Sequence, residues 1–430
     1  MSAGCARKGV SLLKNKSLRK LVCFAAALVL MLVSLVFLAS CGSADSDSLY
    51  VYNYGEYLAD GTRGTFDSLA GFQDYYKELT GREVKIYYTT YPSNEDMYAK
   101  ISSGTSAYDV IFPSDYMVER MIREGLLGKI RLEEVCEEYG TECYYGYIQD
   151  DFRGLYYDPT DEYSVPYTYG RVGIITNRNK VDEEDKTAMG WDMLWNEKYA
   201  GQILQFNNSR DGFATAQYLL GYNVNSTDPA EWEACLEKLL EQKPLVQSYV
   251  LDEIYNKMES GEAAIGAYYA GDYFTMLEVN EDLEFFYPEK TNIFVDCMCV
   301  PANSENPEIA ALFINYMLTR DPAVYSAEFI YYSSPNSIVY TDEEYIDYMG
   351  EDVMEVLYPE GFDFKGELDE NAFRDLDPET LQMISDLWEE LKISGGMPTH
   401  IYAEAAALAA GIIIAIVYFV IRRRRRSRYW

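Results

Sequence analysis

The chain has 430 residues, 48% of them hydrophobic and 15% aromatic, with 36 Lys+Arg against 70 Asp+Glu and a formal net charge of −34. That length and apolar content suffice for two compact units, while so acidic a chain lacks the basic surface that nucleic-acid phosphates require. A single histidine, His400, excludes a Ser-His-Asp triad in the body and any multi-histidine zinc site.

The chain opens on Arg7, Lys8, Lys14, Lys16, Arg19 and Lys20, then an apolar run from Leu21 to Leu38 and the step Leu38-Ala39-Ser40-Cys41. A basic region, an apolar region and small residues at a cleavage site make residues 1–40 a secretory signal. The cysteine after them resembles the lipobox of bacterial lipoproteins, which makes Cys41 the expected lipidated residue. Residues 42–48 are small and polar, as a flexible tether should be.

The body then alternates short apolar strands with amphipathic helices. Strands are expected at 49–54, 84–88 and 108–112, and helices at 66–79, 93–101 and 116–123. Ser93 with Asp96 forms a capping-box-like start. This order argues for a mostly parallel sheet with helices on both faces. After a loop rich in Tyr, Asp and Pro at 144–166, strands are expected at 172–176, 202–206, 245–250, 263–268, 283–287 and 293–300. Helices are expected at 212–220, 228–241 and 252–259. From Pro307 helices dominate, at 308–318, 322–329, 343–356 and 378–391. The pattern gives an α/β chain of two lobes, 49–167 with about 300–395 and 168–299, which the chain crosses more than once. A ligand would sit between the lobes, at the carboxyl ends of the strands.

Five cysteines remain in the body: Cys136, Cys143, Cys235, Cys297 and Cys299. Most read as buried small hydrophobes. Cys136 and Cys143 could pair across a short loop, a point the spacing leaves open. After a linker at 396–404, residues 405–421 carry no charge and are followed by Arg422 to Arg426 and Arg428. The length fits a membrane span and the arginines mark a cytoplasmic tail at 422–430. Each end independently places the body outside the cytoplasm.

The chemistry-bearing pattern is carboxylates interleaved with aromatics just after strands. Tyr54-Gly55-Glu56-Tyr57 follows the first strand and Ser114-Asp115-Tyr116 the third. Asn207-Asn208-Ser209-Arg210-Asp211 follows the 202–206 strand, Tyr268-Tyr269 ends another, and Phe294 and Asp296 lie in the strand at 293–300.

Several of these stretches resemble spermidine/putrescine-binding proteins of polyamine ABC transporters. Val51 to Tyr57 is similar to their opening YNW-x-EY segment, and Tyr91 to Lys100 to their next helix. Tyr108 to Tyr116 matches YD-x-x-x-PS-x-Y, Val165-Pro166-Tyr167 the hinge stretch, and Tyr332 to Asn336 the late Y-x-x-PN. The resemblance implies a two-lobed periplasmic-binding-protein fold that closes on a polyamine and then docks on a permease served by a separate ATPase. The expectation is a binding protein with no metal, cofactor or catalytic residue. Tyr54, Glu56, Tyr57, Ser114 and Tyr116 would be first-lobe pocket residues. Asn208 and Asp211 would stand where the family places acids, Asn208 replacing an Asp. Tyr269 and Phe294 would form an aromatic box, here without the usual tryptophans. Asp296 would be the central acid and Tyr332 the late tyrosine.

The physics agrees with that implication. A polyamine is a flexible alkyl chain carrying ammonium groups, so it needs spaced carboxylates and aromatic walls that add roughly 0.5–2 kcal/mol each by cation–π attraction. The rival reading is a secreted carbohydrate-active protein, a sugar binder or a glycoside hydrolase with paired carboxylates and aromatic platforms. An iron-binding protein is a further reading, which the lone histidine disfavours.

Overall fold

The computed structural model describes residues 47–186 and 190–394. The leader with Cys41, the apolar 405–421 segment and the arginine tail lie outside the described residues. Among the described residues, no helix is long and apolar enough to cross a membrane.

Among the described residues, ten strands form one sheet. In chain order they are β1 (Asp47–Tyr54), β2 (Val84–Tyr91), β3 (Val110–Ile111), β4 (Leu127–Gly128), β5 (Ser164–Asn177), β6 (Ile203–Phe206), β7 (Val246–Val250), β8 (Ile265–Tyr269), β9 (Leu283–Phe286) and β10 (Ile293–Pro301). The order across the sheet is β2-β1-β3-β10-β5-β8-β6-β7, with β4 also on β10 and β9 also on β5. β1 runs parallel to β3, and β6 parallel to β7 and β8. β10 is antiparallel to β3, β4 and β5, and β5 is antiparallel to β8 and β9. The sheet is therefore mixed, which corrects the expectation of a mostly parallel one. The cause is the length of β5 and β10, which pair from Ile293↔Arg171 to Cys299↔Ser164 through the middle of the sheet.

All nine residues of β10 are buried. A strand covered on both faces reads as a continuous apolar run rather than an alternation, and this one admits a single acid, Asp296. β5 threads two hydrophobic clusters. Val165 and Tyr167 join the first, around Leu49, Phe72, Phe112, Val295 and Phe313. Val172, Ile174 and Ile175 join the second, around Leu204, Ile265 and Met276. A third cluster packs the helix Pro378–Ile393, through Ile384 and Leu391, onto Phe213, Trp232 and Leu239. β5 thus has its two ends in different cores, while its neighbour β10, which carries Phe294 and Asp296, packs in the first.

Several helices start at side-chain caps. The Asp67 side chain accepts from Ala70 N at 2.9 Å, and Ser93 exchanges hydrogen bonds with Asp96 as the capping box predicts. The 343–356 helix is instead two, Glu343–Met349 and Glu351–Leu357, broken at Gly350 with φ +75°. Helices Leu132–Tyr139, Ala270–Leu277 and Phe364–Asn371 were not foreseen. The 108–112 strand is reduced to two residues.

Candidate functional site

Asp296 sits at the centre of one cleft and is only 4% exposed. The β10–β5 register shifts at Asp296/Cys297, and Asp296 also bridges to Ser114. Such an irregularity re-aims a side chain out of a ladder. The Ser114 hydroxyl donates to Asp296 Oδ1 at 2.5 Å, and the Tyr57 hydroxyl donates to Oδ2. Tyr57 lies 2.7 Å from the Thr168 hydroxyl, and the Asn94 amide donates to Ser114 Oγ at 2.9 Å. Every donor to this carboxylate is neutral. Burial pushes the Asp296 carboxyl up to about 6, against the pull of the Ser114 and Tyr57 hydrogen bonds.

Asp211 is built differently, at a helix start. Asn208 caps the helix Ser209–Leu220: its Oδ1 accepts from Asp211 N at 2.8 Å, and its Nδ2 returns a bond to Asp211 Oδ2 at 2.8 Å. This reciprocal pair resembles a capping box, with the return bond made by the Asn208 side chain instead of its backbone N–H. The Tyr269 hydroxyl adds a second bond to the same Asp211 oxygen at 2.9 Å. Burial again raises the carboxyl to about 6. Arg210, next in sequence, pulls the carboxyl down less than these hydrogen bonds do. Its buried guanidinium lies 4.6 Å from the Phe373 ring and donates to Asn225 Oδ1 at 3.1 Å.

A third acid, Asp272, was missed by sequence reasoning. It lies in the first turn of Ala270–Leu277, and accepts from the hydroxyls of Tyr255 and, at 2.6 Å, Tyr332. Its carboxyl is likewise raised to about 6, chiefly by burial. The available signal was an acid three residues beyond Tyr269, at a helix start directly after a strand. Asp252 and Glu95 complete the acidic lining. Burial raises the Asp252 carboxyl, with Glu253 and Glu56 adding repulsion. Tyr116 donates to Glu95 Oε1 at 2.9 Å. Among the residues lining the cleft there is no Lys, Arg or His.

Aromatic rings make the walls. Tyr54 packs on Tyr91 and Tyr57 with centroids 4.5 and 5.2 Å apart, and Tyr57 on Tyr332 at 5.4 Å. Tyr332 continues to Phe294 at 6.1 Å, and Phe294 to Tyr269 at 5.4 Å. Two glycines make room. A Cβ on Gly170 would lie 2.8 Å from the Phe294 ring, and one on Gly271 would lie 2.1 Å from Tyr332. Burial raises the hydroxyl pKa of Tyr54, Tyr57, Tyr269 and Tyr332, so these phenols are neutral donors at ordinary pH.

Ten of the residues singled out in the sequence therefore line one cleft: Tyr54, Tyr57, Ser114, Tyr116, Asn208, Asp211, Tyr269, Phe294, Asp296 and Tyr332. Glu56 does not, which corrects its expected place. Its backbone takes φ +49°, and its carboxylate, 64% exposed, pairs with Arg63 at 3.0 Å. Asp115 is behind the cleft. Its carboxylate accepts from Tyr116 N at 2.7 Å and Val295 N at 3.3 Å, and burial raises it to about 8.

Residues 72–350 match the family model described as bacterial extracellular solute-binding protein. The chain belongs to that family. A spermidine/putrescine-binding periplasmic protein of Salmonella typhimurium is 33% identical over 296 residues, 68% of this chain and 79% of that one. Solved structures agree. A spermidine/putrescine ABC transporter substrate-binding protein from Streptococcus pneumoniae is 30% identical with a TM-score of 0.62, and a putative spermidine/putrescine ABC transporter from Listeria monocytogenes is 29% identical with a TM-score of 0.67. The alignments cover 81% of this chain and 99% of each of those two. The fold of this solute-binding protein is thus that of its relatives.

Proposed function

We propose that this protein captures a polyamine, spermidine or putrescine, outside the cytoplasm and delivers it to an ABC permease with its own separate ATPase. The observation that carries the reading is the cleft's unbalanced charge: five carboxylates, no lining cation, and aromatic walls between them. A flexible organic cation is the complement of such a slot, because each ammonium gains charge-assisted hydrogen bonds while its methylenes lie on the rings. The names of the relatives support the amine over a sugar.

In this reading Asp296 takes a central ammonium, Asp211 and Asp272 take others, and Tyr54, Tyr269 and Phe294 wall the alkyl chain. Tyr57, Ser114, Asn208 and Tyr332 orient the acids, and Tyr116 orients Glu95. The lobes are 49–167 with about 300–395 and 168–299, closing by a hinge at β5 and β10. Nothing this chain does in that cycle breaks a covalent bond, so the reading is a binding protein and not an enzyme. Cys41 as a lipidated residue and 405–421 as a membrane span would hold the body at the outer face of the membrane.

Calorimetric titration of the detergent-solubilised chain with spermidine, putrescine and maltose tests this. Saturable binding of one amine with no heat from the sugar is the expected result. Binding of maltose without amine binding would overturn it.

A further inference from the structure

We propose that Cys136 and Cys143 form a built disulfide site, closing the loop that follows the helix Leu132–Tyr139 when the body meets an oxidising environment. Both are thiols in this structure. The proposal goes beyond ligand capture and rests on the reading of the body as extracytoplasmic only for where oxidation would occur.

The backbone brings the two residues together. The helix ends at Gly140, whose φ of +67° turns the chain back on itself. Thr141 N then donates to Cys136 O at 3.0 Å, doubling the loop over the first cysteine. Cys143 is held from the other side by Asn315, fully buried in the helix Pro307–Met317. Asn315 donates to Glu142 O at 2.8 Å and accepts from Tyr144 N at 2.8 Å, gripping the peptide groups on either side of Cys143. Tyr75 adds a hydrogen bond to Thr141 at 2.9 Å. Both cysteines pack in the same core cluster, and each thiol shifts the pKa of the other, as neighbouring thiols do.

The other three body cysteines show no such arrangement. Cys297 and Cys299 stand two apart on extended β10, about 6.6 Å along the strand, beyond the usual Cβ spacing of a disulfide. Cys297 instead donates to Tyr157 at 3.5 Å. Cys235 lies alone in the third cluster.

The pair also has a defined order of reaction. Cys136 is buried, whereas Cys143 is only partly so and is the thiol an external oxidant reaches first. With a disulfide-bearing oxidant, the Cys143 thiolate attacks one oxidant sulfur and expels the other as a thiolate. The resulting mixed disulfide is attacked by Cys136, which loses its proton and displaces the second oxidant thiolate. Two protein thiols are oxidised, one oxidant disulfide is reduced to two thiols, and no other co-reactant is consumed.

The test uses the reduced full chain in detergent, treated with oxidised glutathione, blocked with N-ethylmaleimide and digested with trypsin. Both cysteines fall in one peptide, Leu132–Arg153, with no Lys or Arg between. The expected product is that peptide lighter by two hydrogens and free of maleimide, with Cys235, Cys297 and Cys299 unoxidised. Two maleimides or a lasting glutathione adduct on this peptide would overturn the proposal. Reductant should also lower the Tm of the oxidised chain by about 2–4 °C and leave a Cys136→Ala/Cys143→Ala chain unmoved; equal shifts in both would contradict it. Neither readout depends on amine binding or on export, so failure here is distinct from failure of the transport reading.

Discussion

Acids in the cleft and acids on the surface are treated oppositely by this protein. On the surface, carboxylates meet cations: Glu56 pairs with Arg63, Asp182 and Asp185 with Lys198, and Asp342 with Arg320. In the cleft, Asp211, Asp272 and Asp296 meet only hydroxyl and amide donors. A neutral donor fixes where a carboxylate points without cancelling its charge. A salt bridge does both. The difference teaches how a site is kept ready for a cation: the acids are oriented in advance and left electrostatically unfinished.

That contrast can be broken at its strongest point first. Asp296→Asn should weaken polyamine binding by about 100-fold or more, since a buried ammonium loses its charged partner. Its Tm should hold or rise, because the acid's desolvation cost is removed. Titration calorimetry and a thermal scan read the two effects. Asp272→Asn should cost about tenfold by the same route. An unchanged Kd there would mean that Tyr255 and Tyr332 hold an acid the ligand never meets.

pH sharpens the comparison. The three cleft carboxyls are raised to about 6 from a usual 3.8. The empty folded protein therefore binds their protons more tightly than the unfolded chain does. These groups make the empty protein less stable as pH rises from about 4 to about 6. Ligand affinity has the opposite sign, because an ammonium favours the ionised acids. Kd should rise by about tenfold or more on going from pH 7.5 to pH 5. At the small end, Glu56→Gln should change Kd by less than about twofold, because an exposed pair contributes little. A large loss there would mean that the rim acid turns inward on ligand binding.

Much of this was legible in the sequence, for physical reasons. The alternation of strands and amphipathic helices is a local signal, and the caps at Ser93 and Asp228 mark helix starts. The strand-end pattern and the family resemblance together located ten cleft residues, most of them at strand ends, which converge in an α/β sheet. Glu56 failed because adjacency to Tyr54 and Tyr57 says nothing of a residue at φ +49°, whose side chain leaves the strand's alternation. Asp272 was missed because its role comes from Tyr255 and Tyr332, 17 and 60 residues away. Sheet direction was missed because β5 and β10 are paired only by tertiary structure.

The most direct test of unfinished charge is proton release on binding. Spermidine would be titrated into the protein at pH 6 in buffers of different ionisation enthalpy. The account predicts net release of protons from the protein, since the amine is already fully protonated and the cleft acids are half titrated. Release should fall when Asp296 is replaced by Asn. Binding with no change in bound protons would contradict it, because cleft acids held near half titration at pH 6 must lose protons when an ammonium settles on them.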